Sequence, residues 1–378
     1  MAPTAPRSVA VDATALLAPP TGIGVFTREV LAGLAAADGV DPIAFAVSWR
    51  GRSGLAAQLP AGVRVASRPV PARLARRAWA RADRPSVRDL VGPVELVHGP
   101  NFVVPPGGGA AEVVTVHDLT AVRFPELCTP DVLEWPALLR RAVARGAWVH
   151  TVSEYVADEV RSAFPIAPER VVAVPNGVHP PGPITPATAP DRGRHLAGGP
   201  RYVLAVGTIE PRKDLPGLVA AFEAVAATDP DVRLVLAGPD GWGAETLTAA
   251  IDAARHRRRI VRLGWVDDAQ RLALLRGAAA VAYPSRYEGF GLVPLEAMAA
   301  GVPVVATAVG ALPEVTGDAA RLVPGGDGDA LAAALIDVLT DDAVRADLVA
   351  RGAVRVAGFP WSATVAGLLE LYGRVAAG

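Results

Sequence analysis

The sequence predicts an α/β protein of two doubly wound domains with parallel sheets. Short apolar runs alternate with helix-length stretches along the whole chain, as buried parallel strands and their crossover helices do. The segment Pro180 to Gly199 is rich in Pro, Gly, Thr and Ala, has little periodicity, and separates two such series, so it reads as an interdomain linker. A length of 378 residues with 51% hydrophobic content is enough for two or more full cores.

In order, Val9 to Asp12 is the first strand. Ala13 to Gly24, with two prolines and two glycines, is a loop, and Val25 to about Ala36 is a helix. Ligands of doubly wound sheets sit beyond the strand carboxyl ends. Gly22 and Gly24 could therefore bring backbone N–H groups to a diphosphate, although Gly-Ile-Gly alone reads first as a simple turn. Ile43 to Val47 and Val63 to Ala66 are further strands. Pro71 to Arg88 reads as one helix with Arg73, Arg76, Arg77, Arg81, Arg84 and Arg88 opposite Leu74, Ala75, Ala78, Trp79 and Ala82. It is either a solvated basic face or a contact for an anionic acceptor or membrane surface. Glu95 to His98 and Val113 to Val116 are strands, and the second ends at His117-Asp118, where a histidine projects over the sheet crevice. Asp118 either orients that ring or caps the turn. Thr120 to Thr129 is a loop. Trp148 to Val152 is a strand, with Ser153 as the N-cap of the next helix. Val171 to Val174 closes the first series.

The second series begins with the strand Tyr202 to Val206 and the helix Leu215 to Ala227. Strands follow at Val232 to Ala237, from Ile260, at Ala280 to Tyr283 and at Val302 to Ala306. Asp267 and Asp268 superficially suggest a metal pair, but capping of a helix over Ala269 to Leu275 explains them better. Ala330 to Leu339 and Ala343 to Arg351 are helices, the second closed by Gly352. Pro360 opens a last helix to about Val375.

The bulk numbers exclude several classes. A net charge of −1 and a pI near 6.6 argue against a nucleic-acid partner that depends on positive charge. Cys128 is the single cysteine, so there is no intramolecular disulfide and no cysteine zinc site. Met1 to Arg7 has no long apolar core, which predicts no signal peptide. No apolar run reaches about 18 residues, which predicts no transmembrane segment and a cytoplasmic protein.

The chemistry concentrates between Tyr283 and Ala306. Gly289 and Gly291 let the backbone turn and a ligand approach closely. Pro294 fits the first helical position and Gly301 the position just past the helix end. Such a loop points N–H groups, here those of Gly291, Leu292 and Val293, at an anion, and the helix dipole adds to them. Two carboxylates flank this cradle: Glu288 before the glycines and Glu296 in the first helical turn. Acids do not bind phosphate, but beside it they accept hydrogen bonds from hydroxyl groups. A ligand with phosphates in the middle and polyols at both ends, a nucleotide sugar, fits. Arg212 and Lys213, after the strand Tyr202 to Val206 and the turn Gly207-Thr208, stand where a departing diphosphate needs neutralising.

Glu288-x7-Glu296 with Gly289-Phe290-Gly291 inside it resembles the signature of the retaining glycosyltransferases of family four, which have the GT-B fold. Gly207 to Asp214 resembles that family's phosphate-binding loop, and Thr115 to Leu119 and Gly22-Ile23-Gly24 its N-terminal motifs in the style of mannosyltransferases. The resemblance implies two Rossmann-like domains with parallel sheets facing a central cleft. Residues 1–182 form the acceptor-binding domain, 183–358 the donor-binding domain, and 359–378 a helix crossing back to the first. It implies that His117 lies near the donor sugar, that Gly22 closes over the donor, and that Val266 holds the nucleotide base. Arg212, Lys213, His117 and Glu288 would be catalytic; Gly22, Gly207, Val266, Gly289, Phe290, Gly291, Leu292, Val293 and Glu296 would bind the donor. Transfer would retain the anomeric configuration, with no metal and no cofactor. The donor would be GDP-mannose or another nucleotide sugar, and the acceptor a glycan, a lipid-linked sugar or a small molecule, met either in the cytoplasm or at the inner face of the membrane. Rival readings are a nucleotide-sugar epimerase and a non-catalytic nucleotide-sugar-binding regulator.

Overall fold

The computed structural model describes residues 8–18, 21–49, 51–66 and 68–377. The leader expectation for Met1 to Arg7, and the two prolines at positions 19 and 20, lie outside the described residues. The chain divides into two compact units, Met1–Gly177 with Trp361–Gly378, and Val178–Pro360. The chain thus divides at 177/178 and 360/361, where the sequence predicts 182/183 and 358/359.

The first unit carries a seven-stranded parallel sheet of β1 (Ser8–Asp12), β2 (Asp41–Phe45), β3 (Arg64–Val65), β4 (Leu96–Gly99), β5 (Ala111–Val116), β6 (Trp148–Thr151) and β7 (Val171–Ala173), in the order β3-β2-β1-β4-β5-β6-β7. Strand order reverses between β1 and β4, and an open α/β sheet leaves its crevice at such a point, beyond the carboxyl ends. Helix Gly22–Ala36 buries Phe26, Val30, Leu31 and Leu34, at i, i+4, i+5 and i+8, which lie on one helical face. The final helix, Trp361–Ala377, belongs to this unit and adds Leu368, Leu371, Tyr372 and Val375 to the same core.

The second unit repeats the plan with six strands: β8 (Arg201–Val206), β9 (Val232–Ala237), β10 (Ile260–Gly264), β11 (Ala280–Tyr283), β12 (Val304–Thr307) and β13 (Ala320–Val323). Their order is β10-β9-β8-β11-β12-β13, all parallel, with the reversal between β8 and β11. Helix Leu215–Thr228 packs Leu218, Phe222 and Val225 into its core.

Several sequence expectations need correction. Gly22 and Gly24 are not loop residues: Thr21 caps the helix, accepting from the Gly24 N–H at 3.2 Å, so the helix starts at Gly22. Pro71 to Arg88 is two helices, Ala72–Trp79 and Val87–Val91. The second starts afresh because Ser86 and Asp89 form a reciprocal capping box, and the Trp79 indole donates to the Pro85 carbonyl between the two. The expected loop Thr120 to Thr129 contains the short helix Thr120–Arg123. The expected linker contains helix Pro190–Ala197, which opens on a proline and ends at Gly198 in the left-handed conformation. Gly352 does not end its helix, which runs Asp342–Val356; the glycine is buried against Met298. Ser153 does cap helix Glu154–Ala163, accepting from the Val156 N–H at 3.2 Å, and Asp267 caps helix Asp268–Gly277 through Gln270.

Candidate active site

In the second unit the loops after β8 and β11, the two strands at the reversal, carry the charged residues. Pro211–Lys213 is a single tight turn, and it places Arg212 and Lys213 against the 284–288 loop. The Arg286 N–H donates to the Arg212 carbonyl at 2.8 Å, and Arg212 Nη1 donates to the Tyr287 carbonyl at 2.9 Å. Both side chains converge on Glu288. Arg212 Nη1 is 2.8 Å from Oε2, Lys213 Nζ is 2.7 Å from Oε1, and the Ser285 hydroxyl donates to Oε1 at 2.6 Å. Glu210 pairs with the other side of Arg212 at 2.6 Å.

Glu288 is buried, and burial by itself would raise its carboxyl pKa. The charges of Arg212 and Lys213, with the hydrogen bonds from Lys213 and Ser285, outweigh that and hold it at about 2. Burial pushes the Lys213 ammonium below its ordinary value, with Glu288 opposing, and pushes the Tyr283 phenol well above its own. Lys213 lines a recess with Gly207, Thr208, Tyr283 and Ser285.

The Gly289 to Val293 cradle adjoins this cluster. Gly291 adopts φ 112°, a backbone that favours glycine, and stands as the N-cap of helix Leu292–Ala299 without any side-chain cap. That leaves the first-turn N–H groups of Leu292 and Val293 at an end that favours an anion. Pro294 is the third helical residue rather than the first, a position whose N–H would also lack a partner inside the helix. Glu296 is correspondingly in the second turn, and it is paired with Arg271 of the neighbouring helix. Phe290 is buried, edge-on to Phe359 with centroids 6.0 Å apart. Gly301 ends the helix as expected, donating to the Met298 carbonyl at 3.0 Å. Val266 follows β10 and is half-buried. Among the described residues, no three His, Cys, Asp or Glu side chains gather as a metal site.

In the first unit, His117 follows β5 and is partly exposed. Its Nε2 lies 2.7 Å from the Pro100 carbonyl, which can only accept, so Nε2 carries the proton. Burial holds the ring below its ordinary pKa against that hydrogen bond, and the neutral ring offers Nδ1 as an acceptor. Asp118 accepts from the Thr120 N–H at 2.9 Å, so it caps the turn.

Sequence reasoning missed three groups. Gly310, across from the cradle, could carry no side chain, since a Cβ would lie 2.1 Å from the Glu288 carbonyl oxygen; Ala311 donates to that oxygen at 2.9 Å. Arg271 carries no motif of its own. The third group is a wholly buried chain in the first unit. His150 Nε2 is 3.0 Å from the Val174 carbonyl, so it donates, and His150 Nδ1 must accept from the Thr115 hydroxyl at 2.9 Å. Thr115 Oγ1 then accepts from His98 Nε2 at 2.7 Å, and His98 Nδ1 accepts from the Tyr372 hydroxyl at 2.6 Å. Every proton in the chain is assigned by the one carbonyl at its end. Burial accordingly holds His98 well below its ordinary pKa and His150 at about 3.

The family model "Glycosyltransferase Family 4" matches residues 20–180, and "Glycosyl transferases group 1" matches residues 189–355. The chain is 33% identical over 290 residues to "O-antigen chain mannosyltransferase B" of Escherichia coli, covering 76% of this chain and 74% of that protein. It is a family-four glycosyltransferase. This glycosyltransferase is also 42% identical over 179 residues to the phosphatidyl-myo-inositol mannosyltransferase of Mycolicibacterium smegmatis, covering 46% of this chain and 45% of that one. Its fold is GT-B. It superposes on a sucrose-phosphate synthase from Thermosynechococcus elongatus with a TM-score of 0.75, covering 98% and 99% of the two chains at 22% identity. WaaG, a glycosyltransferase involved in lipopolysaccharide biosynthesis, gives a TM-score of 0.74 over 96% of this chain and 98% of its own at 18% identity.

Proposed function

We propose that this glycosyltransferase moves mannose from GDP-mannose to an acceptor hydroxyl, with retention of the anomeric configuration and without a metal. The observation that carries the reading is the convergence of Arg212, Lys213 and Glu288 at the reversal of the second sheet, beside a helix N-terminus that no side chain caps. Breaking the bond between sugar and diphosphate builds negative charge on the leaving oxygen. Preorganised cations and N–H groups stabilise that charge more than the ground state, and so lower the barrier. Arg212 and Lys213 supply formal charge, and Leu292 and Val293 the N–H groups. Without donor, Glu288 is the counter-ion of both cations; with it, they are shared with the diphosphate, and Glu288 accepts from sugar hydroxyls. Glu296 takes the ribose, Val266 the base, and Gly207, Gly289 and Phe290 shape the loops around the phosphates. From the first unit, the neutral His117 accepts at Nδ1 from a sugar hydroxyl, and Gly22 supports the donor.

The mannose assignment is supported by the named mannosyltransferase relatives and by Gly22-Ile23-Gly24 and His117-Asp118-Leu119. An anionic, lipid-linked acceptor at the inner membrane face suits the exposed Arg73, Arg77 and Arg81; no helix among the described residues is long and apolar enough to cross a membrane. A thermal-shift panel tests the donor: GDP and GDP-mannose are expected to raise the melting temperature. Stabilisation by UDP with GDP inert overturns the guanosine assignment. NMR of the product reads the anomeric configuration, and undiminished turnover in excess EDTA is the expected result for a metal-free reaction.

A further inference from the structure

We propose that Tyr283 is a positioning residue for the leaving diphosphate, acting through Lys213. Lysine is a flexible stem with three equivalent N–H donors, so its charge is not aimed unless its surroundings aim it. Here two donors are occupied: Nζ lies 2.7 Å from the Tyr283 hydroxyl and 2.7 Å from Glu288 Oε1. An ammonium is tetrahedral, so fixing two of its bonds fixes the third. That third N–H has no acceptor among the described residues, on a side chain that lines the recess with Gly207, Thr208 and Ser285.

Tyr283 suits this role better than other members of the cluster. It is the last residue of β11 and is 4% exposed as a residue, so the hydroxyl is placed by the sheet rather than by a loop. The Lys213 Nζ lies 4.6 Å from the ring centroid but 2.7 Å from the hydroxyl, so it stands beyond the oxygen rather than above the ring face, and phenylalanine would keep the ring packing while losing this contact. Glu288 alone would leave the ammonium free to swing about a single bond. With Tyr283 it is held at two points, and the remaining N–H is presented to the leaving phosphate without reorganisation at the moment of bond breaking.

The proposal rests on the donor reading above, and a double-mutant cycle separates the two. Tyr283→Phe keeps the ring and deletes only the oxygen. It is expected to lower kcat about 10-fold while changing KM for the donor by less than about 3-fold, the pattern of an interaction made chiefly in the transition state. In a Lys213→Ala background the same change is expected to alter kcat by less than about 2-fold, because the group it acts through is gone. Melting temperatures of all four proteins accompany the cycle; a purely structural loss would appear in both backgrounds. Wild-type kcat in Tyr283→Phe, or an equal loss with and without Lys213, overturns the role of Tyr283 while wild-type turnover leaves the donor reading standing. Absence of wild-type turnover with every nucleotide sugar tried, together with no calorimetric binding of GDP or UDP, overturns both.

Discussion

The first unit buries a chain of neutral donors and acceptors across β4, β5 and β6, whereas the second buries formal charges beyond β8 and β11. The sheets are wound alike, so topology does not set this difference. The choice of polar residue at the strand ends does. Thr115 and His98 link neighbouring strands and leave no charge to balance. Arg212, Lys213 and Glu288 keep their charges because each compensates another. A neutral edge suits hydroxyl groups; a charged one suits a group that changes charge during reaction.

The sharpest way to break this comparison is acid. His150 is held at about 3 in the fold against an ordinary value of 6.5, so between those values the unfolded chain binds a proton that the folded chain refuses. Its contribution is complete above about pH 6.5 and falls by about 1.4 kcal/mol per pH unit below that, on the order of 5 kcal/mol by pH 3. Glu288 is held at about 2 against 4.5; its contribution is complete above about pH 4.5 and is lost as pH falls towards 2, on the order of 3 kcal/mol. The first unit should therefore loosen first. Hydrogen exchange at pH 5.5 is expected to deprotect β4 to β6 while β8 and β11 stay protected; the reverse order would refute the assignment of neutral and charged interiors.

Next in size is Lys213→Ala. On the proposed reading, this removes one preorganised cation from a site of developing negative charge, and the expected cost is about 100- to 1,000-fold in kcat. Melting temperature should change little, since Arg212 remains on Glu288. Turnover within about 3-fold of wild type would mean that the charged cluster is structural only. Thr115→Val sharpens the other side of the comparison. It keeps shape but strips the hydroxyl, stranding His98 Nε2–H and His150 Nδ1, and should cost about 2–4 kcal/mol in urea unfolding of the first unit. On the proposed reading, which assigns the donor nucleotide to the second unit, affinity for GDP should stay within about 2-fold; a large loss there would show that the two interiors are not independent.

How much of this was legible beforehand depended on how local the signal was. Strands β9 and β11 were readable to the residue, because a buried parallel strand is an unbroken apolar run bounded by turn residues. Arg212 and Glu288 stand out in the sequence because Pro211 and Gly289 beside them mark loops after strands, and Lys213 stands out as the second of two adjacent cations. The helix Pro190–Ala197 was not, since its polar, glycine-containing sequence has no strong period and is stabilised by packing and by its terminal Pro and Gly. Pro71 to Arg88 misled because arginine spacing continued across Pro85-Ser86, where the backbone restarts. The direct pairing of both cations with Glu288 was hidden, because residues 75 and 76 positions apart meet only through the order of β8 and β11. The Tyr372–His98–Thr115–His150 chain had no local mark at all: its members come from four elements, and a histidine inside a strand resembles any other.

Tyr372→Phe probes the end of that chain with the smallest expected effect. The hydroxyl is the terminal donor, so its loss strands a single acceptor, His98 Nδ1, and leaves every other proton where it was. A buried neutral acceptor without its donor costs about 1–2 kcal/mol. The ring keeps its edge-on packing on His98, with centroids 5.6 Å apart, so the apolar docking of the last helix is unaffected. An alternative assignment, in which His98 Nδ1 carried the proton and donated to Tyr372, would force Thr115 to donate to both rings with one hydrogen. The 15N shifts of His98 decide between them. In the wild type Nε2 should be protonated and Nδ1 a hydrogen-bonded acceptor, and in Tyr372→Phe only Nδ1 should move, toward the value of an acceptor with no donor.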